Sequence, residues 1–467
     1  MPKNKEPKFH LITYGCQMNK SDSERLTTLL VALGFVLTEN KEEADLVVIN
    51  TCSVRQSAED RVYGAVRKIA ELKEGKPDML LAVTGCMPGR DRDGALRKKM
   101  PAVDFFFPTS SMTQLPRWIA EVRPELVNSP DLIDDYLKLA PDYRSKKQAF
   151  VTIQTGCNKF CTYCVVPFSR GLEKNRPLQD ILNEIKELVL HGCVEVTLLG
   201  QTVNSYVIPD TENVSTDNPY KDNFAQLLWE VNQIPQIKRL HFTAPHPIHM
   251  TNEVIDAMTL PAHLNFIHLP VQAGDNEVLK KMNRRYTVEQ FVEVVNRLRS
   301  KIPNIAIGTD IIVGFCGESV DQFEKTLELY KQVDFDIAYT AQYSARSGTA
   351  AWRAFKDDVP REEKKRRWEE LQILMEETVL RRNQAFKDQI VEVLVDRHEP
   401  PKFTDEMLSM PETIQEKLAQ MPGACFGNSR EMKLVSFPGD KEMIGKIVKI
   451  KITKPEMWIL EGELVEE

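Results

Sequence analysis

The chain has 467 residues, with 61 Lys plus Arg against 68 Asp plus Glu, a formal net charge of −7, 42% hydrophobic and 28% charged residues. This is the composition of a globular protein of about three domains, and it excludes a disordered or collagen-like chain. No apolar run approaches the roughly 18 residues of a membrane span, Met1–Lys8 lacks the apolar centre of a secretory signal, and the acidic balance confines any nucleic-acid contact to a local basic patch. In chain order, Phe9–Thr13 reads as a strand, Ser21–Leu33 as a helix closed by Gly34, and Leu46–Asn50 as a second strand. A helical pattern from about Ser57 to Leu72 precedes strands at Met79–Thr84 and Val103–Phe107. Apolar runs alternating with helices predict a parallel α/β sheet.

Cys16, Cys52 and Cys86 each follow one of the first three strands, in Tyr14-Gly-Cys16, Asn50-Thr-Cys52 and Thr84-Gly-Cys86. The carboxyl ends of parallel strands lie on one edge, so these thiols are predicted to converge although 36 and 34 residues separate them. Residues 124–147 are polar and Pro-punctuated and read as a linker. Six strand-like runs then alternate with helical patterns: Ala149–Gln154, Glu195–Leu199, Arg239–Thr243, Phe266–Leu269, Ala306–Val313 and Asp336–Gln342. Six βα units predict a partial barrel whose working face is the carboxyl end of its strands. Arg361–Phe386 reads as a long charged helix. Beyond it, Ile390–Val395, Lys433–Phe437, Gly445–Ile452 and Ile459–Leu464 predict a small all-β unit, interrupted by the polar segment Glu399–Ala424. The expected divisions are 1–123, the linker 124–147, 148–388 and 389–467.

Nine cysteines, an odd number, in a chain without an export signal argue for metal ligands rather than a disulfide framework. The sharpest motif is Cys157-Asn-Lys-Phe-Cys161-Thr-Tyr-Cys164, at a strand end. Three thiolates on eight residues suit one face of an iron–sulfur cube and leave one iron open for chemistry. A closed zinc site is the alternative, with His191 or Cys193 as the fourth ligand. His241, His246, His249, His263 and His268 gather near two strand ends, where they serve a cofactor cleft or simply brace the barrel loops.

The cysteine spacing is similar to that of the radical S-adenosylmethionine enzymes. Thr13-Tyr-Gly-Cys-Gln-Met-Asn19, Asn50-Thr-Cys-Ser-Val-Arg55, Leu199-Gly-Gln-Thr-Val-Asn-Ser-Tyr206, His268-Leu-Pro-Val-Gln272, Met282-Asn-Arg-Arg-Tyr-Thr287 and Thr309-Asp-Ile-Ile-Val-Gly-Phe315 extend the resemblance to the methylthiotransferase family. Within it, Asn50-Thr-Cys-Ser-Val-Arg55 looks most like the MiaB-type branch. The resemblance implies three units: an N-terminal α/β domain, a partial (β/α)6 radical barrel and a C-terminal TRAM barrel that binds RNA. It implies two 4Fe-4S clusters, one on Cys157, Cys161 and Cys164 that cleaves S-adenosylmethionine to a 5′-deoxyadenosyl radical, and an auxiliary one on Cys16, Cys52 and Cys86. It places Tyr163, Gln201, Asn204, His246, Gln272 and Asp310 in the S-adenosylmethionine cleft.

The implied reaction is radical insertion of sulfur into isopentenyladenosine of a tRNA anticodon stem-loop, followed by methylation. It requires an electron donor of the flavodoxin or ferredoxin type and a sulfur source, in a cytoplasmic, monomeric enzyme. Threonylcarbamoyl adenosine or a ribosomal protein is the alternative target, and a non-catalytic iron–sulfur protein that binds RNA or transfers electrons is the alternative class. Two stretches depart from the family: Cys316 replaces a proline, and Gly427-Asn-Ser-Arg430 stands for Gly-Arg-Thr. From Arg430 to Lys454, seven basic residues face three acidic ones, and Arg430, Lys433, Lys446, Lys449 and Lys451 are the expected RNA contacts.

Overall fold

A computed structural model describes residues 6–53, 56–127, 135–141, 147–400 and 423–465. The first sheet contains β1 (Lys8–Tyr14), β2 (Val36–Leu37), β3 (Leu46–Thr51), β4 (Leu80–Gly85) and β5 (Phe105–Phe107), all parallel in the order β2-β1-β3-β4-β5. Every residue of β3 and β4 is buried, as expected of central strands covered on both faces. The helix after β1 runs Gln17–Ala32, four residues earlier than its apolar signal. Cys16 and Asn19 form a capping box at its start. Its first turns bury polar side chains because they meet a second unit: Ser21 Oγ lies 3.1 Å from Thr152 Oγ1, and Arg25 pairs with Glu184 at 3.1 Å.

That second unit is the predicted partial barrel. Its strands are β6 (Gln148–Thr152), β9 (Glu195–Leu199), β10 (Arg239–Phe242), β11 (Phe266–His268), β12 (Ala306–Val313) and β13 (Ile337–Gln342), with β7 (Gln154–Thr155) and β8 (Lys174–Asn175) forming a small ribbon beside the cysteine loop. Two parallel three-stranded sheets, β6-β9-β10 and β11-β12-β13, join where Leu240 N–H donates to Ala262 at 2.7 Å and Leu240 C=O accepts from Leu264 at 2.9 Å. β6 and β13 are the two open edges. Helices begin at side-chain caps where the sequence provides them, such as Thr287 with Gln290 and Ser319 with Gln322.

The third unit is a closed five-stranded barrel, β14-β15-β16-β18-β17, where β14 is Ile390–Glu399, β15 Gly423–Ser429, β16 Leu434–Gly439, β17 Ile447–Pro455 and β18 Leu460–Leu464. The sequence reading missed β15. The predicted polar insertion between Glu399 and Ala424 falls mainly on 401–422, outside the described residues. The long helix Arg361–Gln384 reaches from β13 to this barrel, burying Leu371, Met375 and Val379 on the way. Arg239, fully buried, ties the barrels together: it pairs with Glu195 at 2.6 Å and donates to the carbonyls of Asn428 and Ser429. Among the described residues, no helix is long and apolar enough to cross a membrane.

Candidate active site

Cys157, Cys161 and Cys164 lie on a loop shaped by two positive-φ positions. Gly156 has φ +72°, and a Cβ there would sit 2.0 Å from the carbonyl oxygen of Leu172. Phe160 has φ +51°. Cys157 N–H donates to Gly171 C=O at 3.1 Å, closing the loop against the chain that follows it. Donors point at all three sulfurs: Lys159 N–H at 3.5 Å from Cys157 Sγ, Val166 N–H at 3.4 Å from Cys164 Sγ, and Arg284 Nη1 at 3.5 Å from Cys161 Sγ. Burial pushes the Cys164 thiol up to about 12, so an isolated Cys164 stays protonated and needs a metal to become a thiolate. A thiol-rich loop surrounded by N–H donors fits a soft-metal cluster.

His191 and Cys193 do not reach this loop. Both precede β9, at the end of the barrel opposite its carboxyl edge; His191 Nδ1 lies 2.9 Å from Glu187 C=O, and Cys193 Sγ donates to Glu195 C=O. Neither completes a zinc site. Among the described residues, no three His, Cys, Asp or Glu side chains are grouped as ligands of a single ion. A cube spreads its thiolates over separate irons and does not require that grouping.

The three N-terminal cysteines converge at the carboxyl edge of the first sheet. Cys16 is the N-cap of the first helix, Cys52 follows β3, and Cys86 opens the short helix Cys86–Arg90 after β4. A hydrogen bond with Cys52 holds the Cys16 thiol down at about 6, and the charge of Arg170 acts in the same direction. Burial pushes Cys86 up, opposed by Arg170. Arg170 is the residue that sequence reasoning missed. It lies six residues beyond Cys164, yet its Nε donates to Cys86 Sγ at 3.3 Å and its Nη2 pairs with Asp22 at 2.6 Å. Its Nη1 is buried and has no partner among the described residues. A buried cation with a free N–H beside three thiols fits a second anionic cluster, and it comes from the other unit.

A cavity of about 730 Å³ runs along the whole of β13 and the carboxyl half of β12. Cys164, Tyr163, Gln272 and Asp310 line it, with Ile312, Tyr339, Arg346, Met375 and Trp458. Three of the six expected cleft residues therefore meet there. Gln272 is buried at φ +74°, and its N–H donates to Asp310 C=O at 2.8 Å. Asp310 pairs with His268 at 3.1 Å. Gln201, Asn204 and His246 do not line this cavity. Asn204 is occupied with His246: Asn204 Oδ1 accepts the His246 N–H at 2.8 Å and Nδ2 donates to its carbonyl at 3.0 Å. These bonds brace the loop that carries both residues. Burial drives His246 down to about 2 and His249 to about 4, so both are neutral at pH 7. Arg346 links the cavity to the first unit through Glu59, 3.8 Å away, whose carboxylate also pairs with Arg90 and bonds Ser53, next to Cys52.

Two of the five expected RNA contacts are engaged within the chain. Arg430 donates to the carbonyls of Pro261 and His263, and Lys433 pairs with Asp336 at 3.1 Å. Both fasten the C-terminal barrel to the partial barrel, because charge counts along a sequence do not tell which charges face a neighbouring unit. Lys446, Lys449 and Lys451 are exposed, the last two alternating with buried Ile450 and Ile452.

A partial parallel barrel with a three-cysteine loop at its carboxyl edge defines the radical S-adenosylmethionine enzymes as the class. Residues 151–330 match the radical SAM superfamily, residues 8–108 the uncharacterized protein family UPF0004, and residues 415–465 the TRAM domain. A "tRNA-2-methylthio-N(6)-dimethylallyladenosine synthase" of Clostridium botulinum (strain Okra / Type B1) is 41% identical over 461 residues, covering 97% of this chain and 96% of its own. A protein of the same name from Clostridium tetani (strain Massachusetts / E88) is 41% identical over 469 residues, covering 99% and 97%. The chain belongs to the family of tRNA-2-methylthio-N(6)-dimethylallyladenosine synthases and is a radical S-adenosylmethionine methylthiotransferase. Among solved structures, the radical S-adenosylmethionine methyltransferase TsrM from Kitasatospora setae, with cobalamin and a [4Fe-4S] cluster bound, superposes with a TM-score of 0.52 at 13% identity. It covers 72% of this chain and 75% of that one, a likeness of fold alone.

Proposed function

We propose that this enzyme converts isopentenyladenosine at position 37 of tRNA, beside the anticodon, to its 2-methylthio derivative. One observation carries the reading: a single cavity has Cys164 of the barrel loop on one wall and, on another, Arg346, which pairs with Glu59 in the unit holding Cys16, Cys52 and Cys86. When bound, a cluster on Cys157, Cys161 and Cys164 with S-adenosylmethionine supplies the hydrogen-abstracting radical, and a second on Cys16, Cys52 and Cys86 supplies sulfur.

The chain's own residues hold and orient. Burial keeps the Tyr163 phenol protonated, so it offers a neutral ring and an O–H to the cavity. Gln272, pinned through its backbone to Asp310, presents an amide there. Arg284 braces the cysteine loop by donating to Pro270 C=O and the Tyr286 hydroxyl while facing Cys161. Ile312 and Ile337 make part of the wall apolar and limit water, which protects a reactive radical.

The chain divides functionally at 1–123, 124–147, 148–388 and 389–467, and Lys446, Lys449 and Lys451 contact the anticodon stem-loop. The enzyme acts as a cytoplasmic monomer served by a flavodoxin- or ferredoxin-type donor and a sulfur source. The test is mass spectrometry of tRNA nucleosides from a strain lacking this chain, with and without its return. The 2-methylthio nucleoside should vanish with isopentenyladenosine left in its place, and should reappear on return. Unchanged nucleosides would overturn the reading.

A further inference from the structure

We infer that Trp458 is the stacking wall of a second base site at the mouth of the catalytic cavity, and that its ligand is an unpaired nucleobase next to the reacting nucleoside. The inference rests on the tRNA reading above.

The cavity is lined both by Cys164 and Gln272 of the partial barrel and by Met375 and Trp458, contributed by the long helix and the C-terminal barrel. Trp458 is 52% exposed at the turn between β17 and β18. That turn is anchored. Glu456 N–H donates to Ile459 C=O at 2.9 Å, Asn383 Nδ2 donates to the carbonyls of Glu456 and Met457 at 2.8 and 2.9 Å, and Gln384 Nε2 donates to Pro455 C=O at 3.1 Å. Asn383 is itself buried, so the long helix spends a buried amide on holding this turn. Met457 faces inward against the core of the partial barrel. These contacts hold the backbone from which Trp458 lines the cavity.

A large aromatic held half in water is suited to stacking on a flat ring. The chemistry around it selects which ring. The same strand that leads into the turn carries exposed Lys449 and Lys451, which suit phosphates. Basic side chains followed by an aromatic wall form the pattern by which proteins hold single-stranded nucleic acid, the cations tracking the backbone and the aromatic ring stacking a base. The reacting nucleoside must reach the part of the cavity lined by Cys164. A base beside it in the chain is then left at the mouth, unpaired, where Trp458 stands. An apolar peptide side chain is the competing occupant.

The test uses the full, reconstituted enzyme and an anticodon stem-loop RNA carrying isopentenyladenosine, with binding measured across a salt series. Trp458→Ala should weaken binding roughly 5- to 100-fold with an unchanged salt slope, and Trp458→Phe should recover most of the loss. Lys449→Glu/Lys451→Glu should instead flatten the salt slope. Stem-loops with an abasic nucleotide on either side of the target separate a base from any other occupant. One of the two should bind the wild type about as weakly as the intact RNA binds Trp458→Ala, with no further loss when both changes are combined. Wild-type affinity in Trp458→Ala, or fully additive losses, would overturn the site while leaving the tRNA reading standing. Failure of the wild type to bind the stem-loop would overturn both.

Discussion

Arg170→Ala tests how the two cysteine groups are joined. Arg170 and Asp22 are each about 2% exposed as side chains, and they meet at 2.6 Å across the interface of the first sheet and the barrel. Removing the arginine leaves the Asp22 carboxylate buried and uncompensated, which costs about 3–5 kcal/mol. Arg170→Lys does not restore the arrangement, because one ammonium cannot replace two guanidinium nitrogens that serve Asp22 and Cys86 separately. Arg170→Met/Asp22→Leu removes both charges and should recover most of the loss, to within about 1–2 kcal/mol of wild type. The assay is anaerobic urea unfolding of the full-length apoprotein, following the transition of the N-terminal unit. Arg170→Ala and Arg170→Met/Asp22→Leu also lose a donor beside the auxiliary cysteines, so an EPR-monitored titration of the proposed auxiliary cluster should find it harder to reduce than in the wild type. A cost below about 1 kcal/mol for Arg170→Ala, or a double variant as unstable as the two single losses added, would refute the reasoning.

Gly156→Ala should unload the barrel cluster while the auxiliary one stays, since φ +72° and the 2.0 Å approach to Leu172 leave no room for a Cβ; iron analysis should fall by half. His241 is buried, bonds Thr197 at 2.7 Å, and is driven by burial down to about 3. Its folded value lies below the unfolded one, near 6.5, so the unfolded chain binds the extra proton and stability is lost as pH falls below about 6.5. The slope from this residue approaches ~1.4 kcal/mol per pH unit. His241→Gln should therefore cost stability at pH 7 and show a shallower decline between pH 6.5 and 4.5 in urea unfolding; an unchanged slope would contradict the assignment.

Much of this architecture was legible in the sequence because its signals are local. The runs Leu46–Ile49 of β3, Leu80–Val83 of β4 and Ile311–Val313 of β12 are apolar, and the helix Leu178–Leu190 is periodic. The strand-end cysteines were legible because a parallel sheet converts a repeated sequence position into one edge. What escaped depends on distant partners. Arg170 meets Cys86 and Asp22, 84 and 148 residues away, and nothing beside it in the chain marks it. Arg430 and Lys433 read as a basic patch because composition carries no information about the neighbouring barrel that absorbs them. β15 escaped because Gly423-Ala-Cys-Phe-Gly-Asn-Ser429 has two glycines and a weak apolar signal; its pairing with β14 and β16 supplies the order its propensity lacks. The early start of the first helix follows from Cys16 acting as a cap, a role few cysteines fill.

We propose that the two cysteine triads hold two separate clusters, one beside the cavity through Cys164 and one in the unit that Arg346 reaches through Glu59. Iron analysis after anaerobic reconstitution tests it most directly, on wild type, on Cys157→Ala/Cys161→Ala/Cys164→Ala and on Cys16→Ala/Cys52→Ala/Cys86→Ala. The wild type should bind about eight irons and each triple variant about four. The N-terminal variant should still cleave S-adenosylmethionine but add no sulfur. A triple variant that binds no iron, or a wild type saturating at four, would contradict it.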